Sequence, residues 1–212
     1  MNNDPRTEPL LEWNRLAREN TENAIVSSMF EAAAKASEPI DTFSTWLLVA
    51  AAAVASFFIG NAEKLIPIIK QQGFVTCGVF LCLSCIFGLM SKIFALRCKV
   101  SSETGAAVRK TFSEHLAAYQ IEEEKIQEGA VFWGIDIQTG IRLERVLKEF
   151  LAPMPWWVRW LSKRYFEKHA GNPQIGYIPH IKSLHTQGVH AFFQAMCFLG
   201  FLASGFIFAS PI

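Results

Sequence analysis

The histidines at 180, 185 and 190, and the pair Cys82-x-x-Cys85, are the side chains whose types and spacing come nearest to metal or redox chemistry. Neither set assembles a centre. A five-residue step on a helix rotates each side chain by about 140° from the last, so the three histidines do not share a face. Pro179 leaves only His185 and His190 inside the expected helix, and a metal would need His169 or Glu167 from elsewhere. Interfacial polar residues or pH-sensitive caps describe them better. The two cysteines sit in an apolar run with no histidine or carboxylate beside them. Thiols in such surroundings are inert packing groups. Asp136 and Glu144 belong to no pattern, and the chain has no phosphate-binding glycine loop, nucleophile elbow or paired-histidine helix. The expectation is therefore no catalytic residue, no metal, no cofactor and no enzyme.

A second kind of chemistry is cationic. Arg142, Arg145 and Lys148 follow a three-residue rhythm, and Arg159, Lys163 and Arg164 lie among Trp156, Trp157, Trp160, Leu161, Tyr165 and Phe166. Such a surface binds phosphate, whether on a lipid headgroup or on a nucleotide or short oligonucleotide. Tryptophan favours the headgroup level, and long basic stems reach past it to phosphates. Lipid contact is the expected use.

The elements that must position these groups are set by three apolar runs, Phe43–Gly60, Phe74–Ser91 and Ala191–Ala209. Each has 18 or 19 residues without an ionisable side chain, about 27 Å of helix and close to a bilayer's hydrocarbon thickness. The composition, 51% apolar in 212 residues with a net charge of +1, decides less than this blockwise arrangement and argues against a protein that coats nucleic acid. The predicted fold is an all-α membrane protein with an N-terminal amphipathic helix in residues 1–42 and a transmembrane hairpin in 43–98, its spans 43–60 and 74–96. A helical cytosolic or interfacial module follows at 99–189, then a third span at 190–212.

Lys and Arg set the orientation. Fourteen of them fall between Lys92 and Val189, against only Lys64 and Lys70 in the connection Asn61–Gly73. The N-terminus and residues 92–189 are expected in the cytosol, with Asn61–Gly73 and the terminal Ser210–Pro211–Ile212 outside the inner membrane. The first 42 residues are not a cleavable signal, and five cysteines in or beside spans make a disulfide framework unexpected.

Local patterns refine the elements. Leu10, Trp13, Leu16 and Ala17 continue into Ile25, Val26, Met29 and Phe30 as an amphipathic helix, with Asn20 or Thr21 available as a second cap. Glu38–Pro39 breaks it, and Asp41 or Thr42 can cap the first span. Pro67 among Leu65, Ile66, Ile68 and Ile69 predicts a short interfacial or re-entrant piece or a greasy turn. A helix through Val108, Phe112, Tyr119 and Ile126 is expected to stop at Gly129. Val131–Ile137 reads as a short strand or a link, Ile141–Ala152 and Trp156–His169 as helices, and Gly171–Ile181 as a loop.

Inside the spans, small residues recur at four-residue steps: Ala52, Ser56 and Gly60; Ser84 and Gly88; Gly200 and Ser204. In lipid such rows let helices approach closely, either within one chain or between copies, and a homo-oligomer is expected. Phe57, Phe198 and Phe201 are the candidates for a hydrophobic gate, or else they face lipid.

A helical cytosolic module joined to a few short spans rich in small residues resembles the small multi-pass membrane effectors of bacterial anti-phage defence. The likeness is one of architecture across the whole chain, not of a motif. It implies an oligomer that perturbs the inner membrane when a cytosolic nucleotide signal or a partner protein changes its state. The expected function is such a pore-forming or membrane-perturbing effector. The alternative is a non-conducting anchor or scaffold that recruits a soluble partner.

Overall fold

The computed structural model describes residues 8–137 and 139–209. The terminal Ser210–Ile212 of the orientation argument lie outside the described residues. Six helices follow one another: α1 Glu8–Ala34, α2 Ser37–Gly60, α3 Ala62–Trp133, α4 Leu143–Leu151, α5 Trp156–Lys168 and α6 Ile178–Phe208. No strand occurs among the described residues. Helices α2, α3 and α6 are each long and apolar enough to cross a membrane.

Several boundaries differ from the sequence expectation. Helix α1 is unbroken, because Thr21 turns its hydroxyl back onto the Ala17 carbonyl, 2.8 Å away, instead of capping a new segment. The chain turns at Lys35 and Ala36, whose amides bond to the carbonyls of Ala32 and Ala33. Pro39 then falls in the first turn of α2, where no helical partner needs its missing N–H. Asp41 and Thr42 are thus inside the helix rather than caps. Asn61 ends α2, its side-chain amide donating to the Phe57 carbonyl at 2.9 Å.

Pro67 lies in a short helical piece that opens α3, and the helix breaks at Lys70, with φ 61° and ψ 161°. That conformation is close to glycine's private territory and costs a side-chain-bearing residue about 1–3 kcal/mol. It is held because Ile69 before it is buried with Leu81 and Phe58. Beyond the break, α3 runs past Gly129 to Trp133, and Gly134, at φ 62°, stops it. At the other end, Pro179 sits in the first turn of α6 and starts the helix rather than preceding it. His180 is therefore helical, contrary to the sequence reading.

The chain divides into two units, residues 1–102 with 176–212, and residues 103–175. In the first, α2, α3 and α6 pack on a strict alternation of three- and four-residue steps. On α3 the alternating buried positions run from Cys77 through Leu81, Ser84, Gly88, Ser91, Ala95 and Cys98, with Ile69 and Gly73 buried before them at steps of four. On α2 the matching series is Ser37, Asp41, Ser44, Leu48, Ala51, Ala55 and Phe58, all buried or half-buried. On α6 it is Gln187, Ala191, Gln194, Phe198 and Phe201. This seven-residue period is that of a left-handed supercoil with side chains packed knobs-into-holes. Helix α1 joins the same unit where Phe30 stacks on Tyr177 at 5.9 Å and the Tyr177 hydroxyl donates to Glu31 at 2.9 Å.

The second unit is differently built. Among its described residues only Ala130 and Gln174 are buried. It is held by isolated contacts: the Gly140 amide donates to the Tyr119 hydroxyl at 3.2 Å, and Gln127 donates to Thr139 at 3.0 Å.

Candidate functional site

Two polar layers cross the first unit. In one, Ser44 donates its hydroxyl to the Gln194 side-chain oxygen at 2.6 Å, and the Gln194 amide returns a bond to the Ser44 carbonyl at 3.0 Å. Ser84 completes the layer from α3, donating to the Gln194 carbonyl at 3.0 Å. The other layer lies seven residues away on each helix and repeats the design. Ser37 donates to the Gln187 side-chain oxygen at 2.6 Å, Gln187 to the Ser37 carbonyl at 2.8 Å, and Ser91 to the Gln187 carbonyl at 3.3 Å. Pairing 37 with 187 and 44 with 194 makes α2 and α6 parallel, while pairing 91 with 187 and 84 with 194 makes α3 antiparallel to both.

The pattern extends by a further seven to Cys77 and Phe201; at the other end His180 keeps the step of seven before Gln187, but its partner Ser101 is ten residues from Ser91. Cys77 points its thiol at the Phe201 carbonyl, 3.8 Å away, and Ser101 meets His180 Nδ1 at 2.9 Å. Past the Cys77 layer the core turns aromatic: Phe58 stacks on Phe74 at 4.4 Å and meets Phe201 edge-on at 5.9 Å. Among the described residues no buried side-chain nitrogen or oxygen lacks a partner. The described polar side chains inside the bundle are satisfied.

Beside the Ser37–Gln187–Ser91 layer, Lys92 of α3 reaches Asp41 of α2 at 2.7 Å and donates to the Thr45 hydroxyl at 2.7 Å. Thr45 in turn donates to the Asp41 carbonyl at 2.7 Å. The pair is a third exposed, so it fastens α2 to α3 at the edge of the bundle rather than in its centre. On α1, Arg15 holds Glu12 by two bonds of 2.6 and 2.8 Å. These bonds and the positive charge of Arg15 keep the Glu12 carboxyl below its ordinary range, and the same bonds with the negative charges of Glu12 and Glu19 raise the Arg15 guanidinium.

The small-residue rows separate by face. Ser84 and Gly88 are buried, Ser204 is buried and Gly200 half-buried, all within the bundle. A Cβ on Gly88 would lie 2.6 Å from the Gln194 amide nitrogen, and one on Gly200 would lie 2.8 Å from the Phe80 ring. Ala52, Ser56 and Gly60 are exposed on the outside of α2. Of the gate candidates, Phe198 and Phe201 pack against the core cluster, whereas Phe57 is 63% exposed.

Arg142, Arg145, Lys148, Arg159, Lys163 and Arg164 are all exposed in the second unit. Helix α4 places Val146, Leu147 and Phe150 on one arc and its cations on the opposite one, yet that apolar arc is exposed. Helix α5 turns Val158, Ser162 and Tyr165 inward; the Tyr165 hydroxyl donates to the Ile175 carbonyl at 2.9 Å, and burial pushes its ionisation up. The outward face carries Trp156, Trp160 and Arg164 at four-residue steps. Trp156 and Trp160 are 74% and 55% exposed, and the Arg164 guanidinium lies 5.5 Å from the Trp160 ring centre.

The glutamine layers are the arrangement that sequence reasoning missed. Gln187 lies before the third span expected at 190–212, and Gln194 is one of several isolated polar residues within it. The available signal was their spacing of seven, matched by Ser37 and Ser44 and by Ser84 and Ser91. Comparison with protein-family models, curated proteins and solved structures finds no match for this chain.

Proposed function

We propose that this protein is a non-conducting multi-pass membrane anchor whose helical second unit, on the cytosolic side, recruits a soluble partner or ligand. The observation that carries this reading is the pair of hydrogen-bonded layers inside the three-helix bundle. Its described buried polar groups face one another there, which supports a bundle without the water-lined path an ion channel needs. In apolar surroundings such bonds add about 0.6 kcal/mol each on average, so the layers serve register and rigidity. A potential-sensitive dye in expressing cells, combined with affinity capture from detergent, tests the reading. A stoichiometric partner without depolarisation is the expected result, and depolarisation on expression contradicts it.

A second reading has its own observation. Ala52, Ser56 and Gly60 form a small-residue row that the bundle leaves uncovered, and such rows let helices of separate copies meet closely in lipid. A homo-oligomer built there would be a membrane-perturbing effector, of the kind expected in anti-phage defence, with its leak running between copies instead of through one. Disulfide capture of dimers by Ala52→Cys together with depolarisation favours it; dimers without leak return the anchor reading.

A further inference from the structure

The second unit buries only Ala130 and Gln174 among its described residues and shows large apolar side chains outward. Trp156 and Trp157 are 74% and 53% exposed, Trp160 and Leu161 are 55% and 51% exposed, and Phe150 of α4 is 62% exposed. In an ordinary soluble helix the tryptophans would face inward. Here the inward face of α5 is taken by Val158, Ser162 and Tyr165, so the orientation of the helix is set and its tryptophans are left outside.

We propose that this outward face of α5 docks on the surface of an anionic phospholipid bilayer. Three features select that occupant. First, the exposed aromatic row is interleaved with cations: Arg164 lies over the Trp160 ring, and Arg159 and Lys163 flank it on the exposed side. Indole rings at headgroup depth with guanidinium and ammonium groups reaching phosphate are the combination an anionic interface rewards. A protein groove for an apolar helix would instead be met by a face poor in lysine. Second, α4 has the same character, an exposed apolar arc opposite Arg145 and Lys148, with Arg142 at its N-cap, as expected of a helix lying in an interface. Third, the unit is covalently joined at both ends to helices able to cross a membrane. Nine residues separate Lys168 from Ile178, a tether of at most about 35 Å, so a bilayer surface is always within reach. Such tethering makes docking an intramolecular event that weak individual contacts suffice to drive.

The proposal rests on the membrane-spanning reading of α2, α3 and α6, and the two fail separately. The full chain is reconstituted in vesicles of phosphatidylcholine alone or with phosphatidylglycerol, the acyl chains brominated to quench tryptophan. Subtracting a variant with Trp156→Phe, Trp157→Phe and Trp160→Phe isolates their emission. Retention through an alkaline wash reports the spans on their own. Expected are lipid quenching and protection from aqueous acrylamide in phosphatidylglycerol vesicles, both weakened by salt. Replacing Lys163 and Arg164 by Gln is expected to lower the docked-to-free ratio about fivefold per cation removed. Washed, retained protein whose tryptophans stay open to acrylamide overturns the proposal. So does shielding from both quenchers, which would mean that a second copy or another protein covers the face. Lipid quenching indifferent to phosphatidylglycerol, salt and the two cations overturns it as well.

Discussion

At the scale of single residues, Gly88 and Gln194 carry the most consequence. A helix interior ordinarily prefers alanine to glycine by about 1 kcal/mol, so glycine at 88 needs a reason, and the Gln194 amide supplies it. A methyl there would meet the amide nitrogen at 2.6 Å and the amide carbon at 2.9 Å, with Leu48 at 3.1 Å. Gly88→Ala is expected to destabilise the protein by about 1–3 kcal/mol, read as a lower midpoint in thermal unfolding in detergent. Gly78→Ala is the control: nothing lies within 4 Å of its added carbon, so it is expected to be neutral or slightly stabilising. Equal effects of the two substitutions would count against the layer. Gln194→Leu removes the bonds to Ser44 and the amide that Gly88 accommodates. It is expected to cost about 1–3 kcal/mol, limited because a freed serine hydroxyl turns back onto its own helix, as Ser56 does onto Ala52 at 2.9 Å. Gly88→Ala in a Gln194→Leu background tests whether the two losses share one cause, and a sum of the separate effects would say that they do not.

At the scale of elements, what was legible in the sequence and what was not divide along a physical line. The apolar runs announced the three long helices because continuous apolarity is a local property. The aromatic and basic composition of Trp156–Lys168 announced α5 for the same reason. The starts of α2 and α6 were misplaced because polar residues near them were read as boundaries. Asp41 is inside α2 because Lys92, fifty-one residues on, neutralises it, and Gln187 is inside α6 because Ser37 and Ser91 satisfy it. Such pairings are tertiary, and only the recurrence of Ser and Gln at sevens hinted at them. The Asp41–Lys92 pair is a third exposed, so its worth follows that of partly screened pairs. A double-mutant cycle with Asp41→Asn and Lys92→Gln is expected to give a coupling of about 0.5–1 kcal/mol that falls with added salt. A coupling of zero would make α2 and α3 independent of this contact.

At the scale of the whole molecule, the two units follow opposite rules. The bundle hides its polar groups and turns apolar side chains outward, as lipid requires. The second unit exposes both cations and tryptophans, as an interface permits. For a sealed bundle the chain carries its own reporter in Cys77, fully buried on α3 with its thiol toward the Phe201 carbonyl of α6. The most direct measurement treats the full chain in membranes with a charged, thiol-specific reagent on both faces and locates the label by mass spectrometry. A sealed bundle leaves Cys77 unmodified until detergent unfolding exposes it. Modification of Cys77 in the folded, membrane-embedded protein would mean that water runs through the bundle, and would contradict the account.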